Sequence, residues 1–203
     1  MKLLRTIIVI VLSMLLTFQV FSQNQNNEPV LPKVPSNWGF ERYAFPIDFA
    51  PSIHYTGFEE IRFSPGMMDT SSAFYFTYIF VVALNDSINL NEVSIADFLN
   101  RYYRGLSAEV AKGKKFNPDT IQMNAQVTEL KNNNHTLKLF DAEIPFFDTF
   151  SNGQKIQLTM EISTSFSKAK NRTYMTVLVS AAEKSKTEVW NKLREIQQSN
   201  TFD

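Results

Sequence analysis

Trp38, Phe40, Tyr43 and Phe45 crowd one short stretch around Glu41 and Arg42. Such a group could line an exposed groove for a glycan, a peptide or a small apolar ligand. The competing reading is a lead-in segment that caps one end of the core. The chain has only two histidines, His54 and His135. They are isolated and far apart, so they form no HExxH or other metal-ligand spacing. His54 lies in the Pro51–Gly57 loop beside Tyr55 and could serve as a general base, against the plainer reading of a solvated loop histidine. His135 falls in an Asn-rich turn and reads as solvated. The binding candidates are therefore Trp38, Phe40, Tyr43, His54 and Tyr55. No residue is singled out as catalytic or as a metal ligand.

Other chemistries lack a foothold. With no cysteine, the chain has no thiol nucleophile, Cys-ligated zinc or iron–sulfur centre. Six glycines scattered singly make no phosphate-binding loop, so no nucleotide cofactor is expected. There is no Gly-x-Ser-x-Gly, although a Ser–acid–His set assembled in space would leave no local signature. Glu59-Glu60 is an adjacent acid pair, but neighbours on a strand point to opposite faces and do not converge. Asp141, Glu143 and Glu161 could supply paired carboxylates and read better as the solvent face of a sheet. In Arg101-Tyr102-Tyr103-Arg104, both tyrosines fit the apolar stripe of a helix, so core packing is the better reading.

The elements that would position these residues follow from periodicity. Ala73–Leu84 is apolar on both faces, with Phe74, Phe76, Tyr78, Phe80, Val82 and Leu84 on one side. Tyr75, Ile79, Val81 and Ala83 lie on the other. This predicts a central strand with protein above and below. Before it, Phe40–Phe45 reads as a first strand. Phe58–Pro65 reads as a second, half-buried one, with Ile61 and Phe63 facing away from Arg62 and Ser64. After it, Ser94 and Asp97 resemble a capping box. Ile95, Phe98, Leu99, Tyr102, Tyr103, Leu106 and Val110 then follow at helical spacing, and Gly113 is a plausible stop. Four strand candidates come next: Ile121–Thr128, a return strand with Leu137, Leu139 and Ile144, Ile156–Ser163, and Tyr174–Ala182. Turns fall at Lys131–His135, Asp148–Gly153 and Lys168–Arg172. Ser185 and Glu188 form a second capping box, before a short helix with Val189, Trp190, Leu193 and Ile196. The expected fold is α+β, an antiparallel sheet of six or seven strands with two helices in the order β-β-β-α-β-β-β-β-α.

Residues 1–22 read as a cleavable secretory signal. Lys2 and Arg5 precede the apolar run Ile7–Leu16, and Val20 and Ser22 stand at the −3 and −1 positions before Gln23. The run is short for a membrane span, so no stable span is expected after cleavage. No Cys follows it, which argues against a lipid anchor. The remaining chain carries 18 basic and 20 acidic side chains, a net of −2, and has no bulk attraction to nucleic acid. Residues 23–36 are polar and then Pro-rich, a disordered or extended leader. Residues 37–203 are expected to be a single domain, long enough to bury a core without disulfides. The expected location is outside the cytoplasm, periplasmic or extracellular, and the style suits a bacterial envelope protein.

Two resemblances add to this. The run Trp38-Gly39-Phe40-Glu41-Arg42, Phe49-Ala50-Pro51, Gly57 to Gly66 and Tyr102-Tyr103-Arg104-Gly105-Leu106 resembles a family of uncharacterised secreted bacterial proteins. That resemblance brings no activity with it. The order of elements, with Phe45-Pro46, Gly57, Ile61-Arg62-Phe63 and the closing Trp190, Ile196, Ser199 and Phe202, is similar to the PsbP-like fold. Domains of that fold mostly act as binding or assembly accessories. The expectation is thus a non-catalytic binding or assembly domain whose partner is a protein, a glycan or a small apolar ligand. The alternatives are a secreted hydrolase with a spatially assembled Ser/Asp/Glu–His site and a carrier of an apolar ligand, the latter helped by 18 Phe.

Overall fold

The computed structural model describes residues 28–112, 114, 117, 122–132, 136–200 and 202. The expected signal segment, Gly113 and His135 lie outside the described residues. Among the described residues the fold is α+β, with seven strands and two helices in the expected order. The strands are β1 Gly39–Ala44, β2 Gly57–Phe63, β3 Tyr78–Asn85, β4 Gln126–Leu130, β5 Leu137–Phe147, β6 Lys155–Ser167 and β7 Arg172–Ser180. Helix α1 is Glu92–Ala111 and α2 is Thr187–Ser199. All pairings are antiparallel, in the order β1-β2-β3-β7-β6-β5-β4. Helix α1 carries the chain from β3 to the far edge, and three hairpins return it until β7 closes on β3.

Strand β3 is central and buried on both faces. Tyr78, Phe80, Val82 and Leu84 enter the core under α1. Ile79, Val81 and Ala83 enter a second core under α2. The strand starts later than its apolar run suggests. Phe76 has φ 49°, which breaks the extended conformation, and residues 74–77 turn instead. The Ser64 hydroxyl holds this turn by donating to the Thr77 carbonyl at 2.7 Å.

The N-cap of helix α1 is Asn91, three residues before the expected cap Ser94. Asn91 accepts from the Ser94 N–H at 3.0 Å, and the Ser94 hydroxyl accepts from the Asn91 N–H at 2.9 Å. This reciprocal pair forms the capping box, while Asp97 pairs with Arg101 instead. The apolar stripe is as expected, with Ile95, Phe98, Leu99, Tyr102 and Tyr103 buried. Helix α2 also differs at its start. Lys186 is the N-cap and no side chain caps it, because the Ser185 hydroxyl donates to Glu183. Strand β4 starts at Gln126 because the Ala125 N–H is taken by the Asn100 side chain of α1 at 2.8 Å. Met123 and Ala125 are nevertheless buried against that helix's core.

Strand β2 is covered on both faces rather than one. Glu59, Ile61 and Phe63 face α1, whereas Phe58, Glu60 and Arg62 face the α2 side. Residues 28–36 supply the second cover. They form no regular element, yet Leu31 is completely buried and Val30 and Val34 pack beside it. Glu60 holds them there. Its carboxylate accepts from the Val30 N–H at 2.8 Å, from the Leu31 N–H at 3.1 Å, and from the guanidiniums of Arg42 and Arg62. Arg62 also donates to the Leu31 carbonyl. A carboxylate stays charged when buried only if it is partnered in this way.

Candidate functional site

The α1 side of the sheet contains a cleft of about 780 Å3. Strands β1 and β2 supply its floor through Glu41, Tyr43, Ile61 and Phe63. The second half of α1 supplies the opposite wall through Tyr102, Leu106, Glu109 and Val110. The loop between β2 and β3 closes one end with Met67, Met68, Asp69 and Phe76, and Phe49 borders the space from the β1–β2 loop. Strand alternation explains the floor. Glu41 and Tyr43 share a face of β1 and register against Ile61 and Glu59 of β2.

Aromatic packing fixes the walls. Tyr102 stacks on Phe80 of β3 with centroids 5.6 Å apart and rings 5° from parallel. Phe49 meets Tyr102 edge-on at 5.1 Å, and Tyr43 meets Phe49 edge-on at 6.3 Å. The Phe49 loop reaches Tyr102 because α1 has Gly105 there. A β-carbon at Gly105 would lie 2.0 Å from the Phe49 carbonyl oxygen. Tyr78 and Tyr103 share a buried hydroxyl–hydroxyl hydrogen bond of 2.6 Å, and burial pushes both phenols well above their ordinary pKa.

Glu59 stands next to this cleft. It is fully buried between Tyr43 and Val82 in the sheet register. Neither carboxylate oxygen has a hydrogen-bond partner. Burial pushes its pKa up to about 8; the nearby Tyr102 hydroxyl opposes the shift without reaching bonding geometry, and the Glu41 charge reinforces it. Tyr43 is half-turned to solvent and donates to Glu41 at 2.7 Å. Partial burial, then that bond, pushes the phenol up to about 12.

The sequence candidates separate in space. Tyr43 lines the cleft. Trp38 is 8% exposed and packs into the α2-side core, where it borders a smaller cleft with Phe74 and Lys192. Phe40 is 50% exposed on that same side, with the Arg62 guanidinium 4.3 Å from its ring centroid. Phe45 is buried in the α1-side core. The four aromatics therefore do not line one groove. Tyr55 packs against Phe98, and burial raises its pKa. His54 is exposed and lies outside the cleft wall. Asp141 and Glu161 pair across β5 and β6 and are bound by Lys184 and Arg194. Among the described residues, no group of three or more His, Asp or Glu gathers to hold a metal.

Sequence reasoning passed over Phe49, Tyr102 and Glu59 as site residues. Tyr102 sits on the helix's apolar stripe, and its role in a wall depends on where the β1–β2 loop lands. Glu59 carried a usable signal: a carboxylate between Phe58 and Ile61 in a strand is out of place once both faces are covered.

The chain matches no family model, no curated protein and no solved structure.

Proposed function

We propose that this chain is an exported, non-catalytic binding domain whose site is the α1-side cleft, and that the cleft holds a small molecule with an apolar body. The observation that carries the reading is the cleft itself. A volume of about 780 Å3, walled by Ile61, Phe63, Met67, Phe76, Tyr102 and Leu106, is within the range of small-molecule sites. Its polar groups stand at few points, as expected where a few contacts orient an apolar ligand. Two methionines give part of the wall an adaptable surface. Among the described residues no helix is long and apolar enough to cross a membrane. An accessory role in the envelope, of the kind the PsbP-like resemblance implies, is compatible with such a site.

Titration with a neutral apolar fluorophore, N-phenyl-1-naphthylamine, tests this. Saturable binding of one probe per chain is expected, with a Kd on the order of micromolar. Leu106→Trp, which fills the cleft from the half-exposed helix face, should abolish it while leaving the circular dichroism unchanged. Probe binding that is absent in the native chain, or unaffected by Leu106→Trp, would overturn the reading.

A further inference from the structure

The charge at the cleft has one sign. Glu41 comes from β1, Asp69 from the β2–β3 loop and Glu109 from α1, so each of three walls contributes an acidic residue to the lining. No Lys, Arg or His stands among the lining residues. Glu109 pairs with Lys112, a residue outside the lining, at 2.6 Å. Glu41 and Asp69 meet only hydroxyl and backbone donors, from Tyr43 and from Ser71. Among the described residues neither has a basic partner within ion-pair distance. A carboxylate head group entering here would face these charges, and the lysines beside the wall are already engaged, Lys112 by Glu109 and Lys114 by the Thr149 and Phe150 carbonyls.

The aromatic walls favour the same sign. Ring faces carry negative partial charge and attract ammonium groups, an attraction that strengthens as water is excluded. Tyr43, Phe49 and Tyr102 form a continuous edge-to-face run beside Glu41. Glu59, which lies against Tyr43 in the β1–β2 register, is buried outside the lining, keeps its proton below about pH 8 and adds no charge to the cleft.

We infer that the cleft selects a cationic amphiphile, an apolar body carrying an amine or quaternary ammonium head, with the head held at Glu41 beside Tyr43 and Phe49. This rests on the cleft being the binding site. The apolar body fills the space between Ile61 and Leu106, as in that reading, and the inference adds the charge of the head and the wall that receives it.

Three ten-carbon probes test the inference by calorimetric titration at concentrations below micelle formation: decyltrimethylammonium, decan-1-ol and decanoate. The native chain should bind decyltrimethylammonium at least tenfold more tightly than decan-1-ol, and decanoate most weakly. Glu41→Gln, a change on an exposed strand position, should reduce the tenfold preference for decyltrimethylammonium over decan-1-ol to threefold or less. Leu106→Trp should remove all three, which separates binding in the cleft from attraction to an acidic surface. Equal binding of decan-1-ol and decyltrimethylammonium, tighter binding of decanoate, or an undiminished preference in Glu41→Gln would overturn the inference and leave the apolar site standing. Failure of all three probes to bind the native chain would overturn both.

Discussion

The carbonyl oxygen of Phe49 rests against the Cα of Gly105, so close that a β-carbon there would lie 2.0 Å away. This contact lets the β1–β2 loop lean on α1 and sets Phe49 against Tyr102 in the cleft wall. Gly105→Ala tests it. Helix propensity alone would favour alanine by about 1 kcal/mol. The obstructing atom is backbone, however, so the loop or helix must shift, and overpacking of this kind costs about 1–3 kcal/mol. The variant should unfold at lower urea concentration and bind N-phenyl-1-naphthylamine more weakly. Unchanged stability and probe affinity would show that the contact does not shape the cleft.

Glu59 predicts a pH dependence whose sign follows from its burial. Its folded pKa of about 8 lies above the ordinary value of 4.5. Below about pH 4.5 the group is protonated in both states and has no effect on stability. Between these values the folded chain keeps a proton that the unfolded chain releases, so stability falls as pH rises, by at most about 1.4 kcal/mol per pH unit. Above about pH 8 the loss is complete. The groups facing Glu59 are Glu41 and Tyr43 of β1, Tyr78 of β3, and Tyr102 and Tyr103 of α1. The phenols are pushed upward and stay neutral across this window. Glu59→Gln should flatten the fall in urea stability between pH 5 and pH 8.5 relative to the native chain. Parallel curves for the two proteins would contradict the assignment.

On the opposite face, Glu60 ties the leader to the sheet. Glu60→Ala leaves the Arg42 and Arg62 guanidiniums and the Val30 and Leu31 amides without their shared acceptor. Removing one partner of such a buried set costs about 3–5 kcal/mol. Trypsin cleavage after Lys33 should then accelerate severalfold at a temperature where the sheet stays folded. Cleavage at the native rate would show that apolar packing of Leu31 is enough to hold the segment.

Much of this architecture is legible in the sequence because two-faced burial leaves a plain mark. The uninterrupted apolar run around β3 announced a central strand, and the stripe from Ile95 to Tyr103 announced α1. Element starts were less legible. Asn91 and Ser94 cap each other through side chains that periodicity does not weigh, and Phe76 leaves the extended conformation inside an apolar run. The second cover on β2 was hidden because a polar, Pro-rich leader gives little sign that Leu31 will be buried. The site was less legible still. Trp38 and Tyr43 are only five residues apart, yet they lie on opposite sides of the sheet. Tyr43, Phe49 and Tyr102 meet only because a loop docks against Gly105.

The central claim is that the α1-side cleft is the binding site, and chemical-shift mapping of the labelled chain with N-phenyl-1-naphthylamine tests it most directly. The account predicts that the shifted amides gather at Tyr43, Ile61, Tyr102 and Leu106. Shifts gathered instead at Trp38, Phe74 and Lys192, on the α2 side, would contradict it.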